Sequence, residues 1–216
     1  MLAVLAVLCA ASAGAAPAPV TLDGLLLQFR AIPGLSAHFR EEKKLAILSA
    51  PLLSEGTVHF APPGRLARHT TAPAPSTLLI DGDRLTFGDG KESESIPLEG
   101  NPVVRLFVDS FLKLLVGDKA ALERIFAIDL RARAGGWELR LKPKVAPMTE
   151  VLGSIVIQGS SVVLSKMTIS ELTGDETVTV FDQVDPARRY TAEELARVFS
   201  LQRPLNAQPP SQLPGH

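Results

Sequence analysis

Between Ser54 and Phe87 the chain alternates apolar and polar residues in short runs separated by turn residues. Gly56, Val58 and Phe60 alternate with Thr57 and His59 until Pro62-Pro63-Gly64 interrupts them. Leu66, Arg68 and Thr70 form the next run, Pro73 and Pro75 end it, and Thr77 to Ile80 is apolar. Asp81-Gly82 is a hairpin signal, because glycine accepts the positive φ of a tight turn, and Leu85 and Phe87 resume the pattern. A period of two predicts strands. Short strands joined by such turns predict an antiparallel sheet with one apolar face, which other elements must cover.

Helical spacing appears on both sides of this region. Leu22, Leu25, Leu26 and Phe29 fall at i, i+3, i+4 and i+7, with Thr21 as a cap and Gly34 as a stop. The charge run Arg40 to Lys44 reads as a solvated stretch, and Leu45 and Ile47 read as positions of a following strand. Asp89 to Glu99 reads as a polar, flexible connection. Asn101-Pro102 opens a helix whose apolar stripe is Val103, Phe107, Phe111 and Leu114, and Gly117 closes it. A second short helix covers 119–126. Trp137, Leu139 and Leu141 then alternate with charged residues, and strands are predicted around 128–130, 155–157, 163–169 and 178–180. A last short helix is expected over 191–199. The order is helix, strands, helix pair, strands, without βαβ alternation.

The first sixteen residues carry no charge, and Leu2 to Ala11 has the length of a signal-peptide core. Small residues at 13–16 predict cleavage before Pro17, although no Lys or Arg precedes the core. The expected organisation is a signal peptide over 1–16, one domain over 17–200 and a disordered Pro/Gln-rich tail over 201–216. The single cysteine, Cys9, lies in the signal segment, and Leu8 stands where a lipoprotein signal has a small residue. The exported chain is therefore expected to hold no thiol and to depend on an ordinary core. Net charge is −1 and no basic stripe is present, which excludes a nucleic-acid binder. Apolar residues make up 46% and aromatics only 5%, so the interior is aliphatic.

Catalytic motifs such as GxSxG, HExxH, GxGxxG or a P-loop are absent. His38 with Glu41 and Glu42 resembles part of a metal site but lacks a third convergent ligand. His59 and His69 fall on neighbouring strands and read as solvated. No catalytic residue, metal or cofactor is expected. The apolar faces allow two readings. The helices either pack on the sheet as solid core, in an interaction module of the cell envelope, or leave a cavity for acyl chains, each buried methylene contributing ~0.8 kcal/mol. Periodicity does not separate them.

Gly56, Val58, Phe60, Pro63, Leu66, Pro73, Asp81-Gly82 and Phe87, in this order, resemble the LolA family of periplasmic lipoprotein carriers. Trp137 to Lys144 (WELRLKPK) resembles a later strand of the same family, and the resemblance spans about residues 20–182. It implies an α+β fold: a curved antiparallel sheet, an unclosed half-barrel with helices over its concave face. It also implies a periplasmic monomer that binds the acyl chains of lipoproteins, or another lipid or amphiphile, and ferries them toward the outer membrane. Inner- and outer-membrane transfer proteins would be its partners. The implied lining is Leu45, Ile47, Val58, Phe60, Leu66, Leu85 and Phe87 from the first strands. Val103, Phe107, Phe111 and Leu114 would line it from the helix, and Met167 and Ile169 from later strands. Two departures mark a divergent member. The family's arginine before the matched proline, which bonds a helical lid, is Pro62 here, and an aromatic two positions after Leu66 is Arg68. A cation on an apolar face needs a partner, so Arg68 reads as a contact to an anionic headgroup or a lid carbonyl, or as a strand-end residue reaching water.

Overall fold

A computed structural model describes residues 20–89 and 91–201, apart from the side chains of Pro102, Val103, Phe107 and Ser110. The expected signal peptide and the tail from 202 onward lie outside the described residues. Helix α1 (Leu22–Arg30) leads into six strands: β1 (Leu35–Lys44), β2 (Leu52–Ala61), β3 (Arg65–Ala72), β4 (Ser76–Asp81), β5 (Arg84–Gly88) and β6 (Ser93–Pro97). Helices α2 (Pro102–Leu115) and α3 (Lys119–Ile125) follow. The chain then returns to strands: β7 (Phe126–Arg133), β8 (Gly136–Pro143), β9 (Leu152–Ser160), β10 (Val163–Glu171) and β11 (Glu176–Asp185). A single turn of helix, α4 (Met148–Val151), precedes β9, and α5 (Ala192–Val198) comes last.

All eleven strands form one antiparallel sheet in the order β6-β5-β4-β3-β2-β1-β11-β10-β9-β8-β7. Two meanders are thus joined where β1 pairs with β11. The edges β6 and β7 do not meet, so the sheet is an open, curved half-barrel of α+β class. Register aligns the alternating apolar positions into rows across the concave face. Leu35, Phe60, Leu66, Ile80 and Leu85 are mutual cross-strand partners over five strands. Glu41, Thr179, Met167, Ile157 and Leu139 form a comparable row on the other side.

The helices fill this concavity. Leu25, Leu26 and Phe29 of α1 are buried, and Phe29 meets Trp137 edge-on at 6.1 Å. Val108, Leu114 and Leu115 of α2 are buried in the same core. Gly117 closes α2 at φ +67, and a Cβ there would lie 2.3 Å from the Leu26 carbonyl oxygen. Arg30 donates to the Gly117 carbonyl at 2.8 Å, which fastens the C-terminal end of α2 to α1.

Three expectations need correction. Strand β1 runs through the charge run to Lys44, because its backbone is paired on both sides by β2 and β11. Leu45 and Ile47 are consequently not strand residues. The Leu48 amide donates to the Leu45 carbonyl in the β1–β2 turn, and Ile47 is 89% exposed. The connection after β5 is not wholly irregular either: Ser93–Pro97 pairs with β5 as an edge strand, with Thr86 and Ser95 hydroxyls 3.0 Å apart.

Candidate functional site

The concave face divides into a packed end and an open end. Along β1, Leu35, Ala37 and Phe39 are buried, and the same face then continues with the less buried Glu41 and Lys43. The packed end, where the β2–β3 and β4–β5 turns lie, is the floor. The opposite end, where β1 turns into β2, is the mouth.

Helix α2 crosses the concavity between them. Arg105 near its start pairs with Asp83 of the β4–β5 turn at 3.2 Å, and Leu112 reaches the β2–β3 turn at Gly64. Phe111 is the central residue. It borders a void of about 10 Å³ with Val58, Phe60 and Leu66, and a second of about 30 Å³ with Leu141, Ile157, Met167 and Ile169. Neither void holds an acyl chain, since ligand sites measure roughly 300–1,000 Å³. Ile169 also borders a third space, a cleft of about 420 Å³ at the mouth, lined by Glu41, Lys43, Arg68, Met148 and Thr177 among others. The path from mouth to floor is therefore continuous in its lining but interrupted by α2. A larger hollow of about 580 Å³ lies at the mouth end of the sheet, bordered by Arg40, Glu42, Leu53 and Val180 and also by Glu41 and Ser54.

Arg68 faces the concavity but is not free. Its guanidinium donates to Glu41 Oε1 at 2.9 Å and to Ser54 Oγ at 3.3 Å, and stacks 4.3 Å above the Phe39 ring. The Thr179 hydroxyl donates to Glu41 Oε2 at 3.0 Å. The three partners of Arg68, and Thr179 behind Glu41, all belong to the sheet, so the sheet supplies the bonds expected from a lid carbonyl or from water. Lys43 and Glu171 pair at 3.8 Å in the same cleft. The cations of the mouth thus have acids beside them, which suits an uncharged or zwitterionic polar group at the entrance.

On the convex face the histidines are covered rather than solvated. Tyr190 donates its hydroxyl to the Leu35 carbonyl at 2.8 Å and so accepts from His59 Nδ1 at 3.0 Å. His69 Nε2 donates to the Val198 carbonyl of α5 at 2.7 Å, and its Nδ1 lies 3.1 Å from the Thr77 hydroxyl. The Thr57 and Thr77 hydroxyls face the remaining ring nitrogens and can donate to them when the rings are neutral. Burial pushes His59 down to about 4, helped by His69 and Arg188, and burial likewise lowers His69 against the opposing Val198 bond. Among the described residues no group of three or more His, Cys, Asp or Glu is placed to hold a metal.

Of the residues predicted to line a cavity, Phe60, Leu66, Leu85 and Leu114 are buried in the core, and Val58, Phe111, Met167 and Ile169 pack against it half-buried. Phe87 is 40% exposed. Leu45 and Ile47 lie in the turn outside the concavity, and the side chains of Val103 and Phe107 are outside the described part. Glu41, Ser54 and Thr179 were missed. Reading Arg40 to Lys44 with period two would have turned Glu41 and Lys43 inward and supplied the partner that Arg68 needed.

An open antiparallel half-barrel with helices laid into its concavity defines the structural class. The family described as outer membrane lipoprotein carrier protein LolA-like matches residues 14–198, and the chain belongs to it. Among curated proteins no relative matches. Solved structures resemble it at low identity. A LolA superfamily protein, NE2245 from Nitrosomonas europaea, is 12% identical with a TM-score of 0.42, covering 82% of this chain and 97% of its own. MucB in complex with MucA from Pseudomonas aeruginosa is 11% identical with a TM-score of 0.49, covering 81% and 58%. LprF from Mycobacterium bovis is 14% identical with a TM-score of 0.38, covering 79% and 92%.

Proposed function

We propose that the protein is a periplasmic carrier that binds acylated cargo noncovalently, without catalysis or cofactor, and ferries it toward the outer membrane. The observation that carries this reading is Phe111: this helix side chain borders two apolar voids, one of which shares Ile169 with the open mouth cleft. Family membership supports it. Acyl chains of a lipoprotein or another lipid would enter at the mouth and take the place of the α2 stripe, and membrane transfer proteins would load and unload them.

The magnitudes favour long chains. Lifting α2 exposes Val108, Phe111, Leu114 and Leu115, at about 1.5–3 kcal/mol each, whereas each buried methylene returns ~0.8 kcal/mol. Roughly ten methylenes therefore offset the opening, and a second long chain makes it favourable. The pair Arg105–Asp83 opposes opening only weakly, because an exposed ion pair contributes about 0–1 kcal/mol.

The test is uptake of a fluorescent diacylated lipopeptide by the purified chain, with native mass spectrometry of protein isolated from the periplasm. Phe111→Asp is expected to lower retention at least about 100-fold, since it places a charge on an apolar path. Equal retention in a folded variant contradicts the assignment. The small size of both voids supports a second reading, an envelope interaction module with a solid core. A clean apo mass and no uptake by the parent chain would favour it.

A further inference from the structure

The mouth cleft carries opposite charges in equal number. Glu41, Lys43, Arg68 and Glu171 line this space of about 420 Å³, and Val151, Leu152 and Ile169 give it an aliphatic rim. Lys44, Glu42 and Glu176 fall at the alternate positions of β1 and β11, on the other face of the sheet, and do not line the cleft. The two inward pairs differ in how fully they are engaged. Glu41 is saturated: Oε1 accepts from Arg68 at 2.9 Å and from Ser54 at 3.4 Å, and Oε2 accepts from Thr179 at 3.0 Å. Both bonds of the Arg68 guanidinium come from Nη2, so its Nε and Nη1 hydrogens have no partner among the described residues. Lys43 and Glu171 stand 3.8 Å apart, beyond hydrogen-bond range. The cleft therefore keeps two cations with spare donors and one carboxylate, Glu171, with spare acceptors.

A polar group entering there meets both signs. An anionic headgroup such as phosphoglycerol would bond the cations but face Glu171 as a like charge. The hydroxyl of a diacylglycerol would take the ions out of water and offer neither a counter-charge, which is costly. A zwitterion offers a phosphate to Arg68 and Lys43 and an ammonium to Glu171, so the spare donors and acceptors are satisfied together. The chemistry favours a primary ammonium over a quaternary one. Glu171 accepts hydrogen bonds, and the described residues lining the cleft include no aromatic ring of the kind that surrounds a choline. Ile169 links the cleft to the void bordered by Phe111, where an acyl chain on the same glycerol would begin.

We propose that the mouth cleft is a headgroup site for phosphoethanolamine, with phosphate on Arg68 and Lys43 and ammonium on Glu171, and that the cargo is a zwitterionic glycerophospholipid. The proposal rests on the carrier reading of the concavity. Its test is a competition. The purified, delipidated chain is equilibrated with an equimolar, detergent-dispersed mixture of phosphatidylethanolamine, phosphatidylcholine, phosphatidylglycerol and diacylglycerol with identical acyl chains. Bound lipids are quantified by native mass spectrometry. Phosphatidylethanolamine should be enriched at least about tenfold over each of the others, the scale of one charge-assisted hydrogen bond. Glu171→Gln should bring phosphatidylglycerol level with phosphatidylethanolamine, and Lys43→Gln should narrow the lead of phosphatidylethanolamine over diacylglycerol. Any order of uptake in which phosphatidylethanolamine does not lead, or a lead that neither substitution moves, overturns the headgroup assignment and leaves the carrier reading standing. Uptake of the diacylated lipopeptide but of none of the four lipids does the same. Uptake of neither lipid nor lipopeptide overturns both. The selectivity of the parent chain decides the outcome should the variants fail to fold.

Discussion

The two ends of the half-barrel solve the same problem differently. Each must place polar groups against a sheet that also carries an aliphatic core. At the floor, Phe29 and Trp137 pack inside, while outside Tyr190 covers the neutral His59 imidazole. At the mouth, the polar groups are ions paired across strands: Glu41 with Arg68, and Lys43 with Glu171. Neutral hydrogen-bonded groups tolerate a cover, whereas ion pairs tolerate an opening. The difference teaches where the fold invests in stability and where it keeps access. The floor is sealed on both faces, and the mouth is left wet beside an aliphatic rim.

The largest effect on this contrast is expected from Glu41→Ala. Breaking a buried pair costs about 3–5 kcal/mol, but this one is partly open to water, so about 1–2 kcal/mol is expected by urea denaturation. Removing both partners, as Glu41→Ala with Arg68→Leu, should recover most of the loss. If the single variant is as stable as the parent, the mouth pair is ornamental and the contrast fails.

A smaller effect is expected from pH, and it sharpens the floor. The folded His59 is held down to about 4, while an unfolded imidazole titrates near 6.5. The unfolded chain therefore takes up the proton first as pH falls. The stabilisation from neutral His59 is complete above pH 6.5, declines below it and is exhausted as pH passes about 4. Thermal midpoints measured from pH 7 to pH 4 should fall, and His59→Gln should flatten part of the slope. A slope unchanged in that variant would show that the cover does not hold the ring neutral.

Much of this was legible in the sequence where local pattern and tertiary demand agree. The alternations at Gly56–Phe60 and Trp137–Leu141 became strands, and the Phe111–Leu114 stripe became the covering helix. The misreadings share one cause. Arg40 to Lys44 looked like a solvated stretch because charge is a local cue, yet pairing with β2 and β11 made it a strand and turned Glu41 inward. Ile47 looked like core because hydropathy carries no information on where a hairpin reverses. The cover on His59 and His69 comes from residues more than a hundred positions away, a relation that periodicity does not encode.

The central claim is that cargo replaces α2 in the concavity, and pinning the helix tests it most directly. A Cβ built at Gly64 would lie 4.0 Å from Leu112 Cδ1, so Gly64→Cys and Leu112→Cys place two thiols within reach of a short, cleavable bis-thiosulfonate linker. With Cys9 replaced by serine, no other thiol competes. Lipopeptide uptake should be lost when the linker is attached and return when reductant cleaves it. Uptake that persists at full cross-linking would contradict the account, because the chains would then be entering a concavity that α2 still fills.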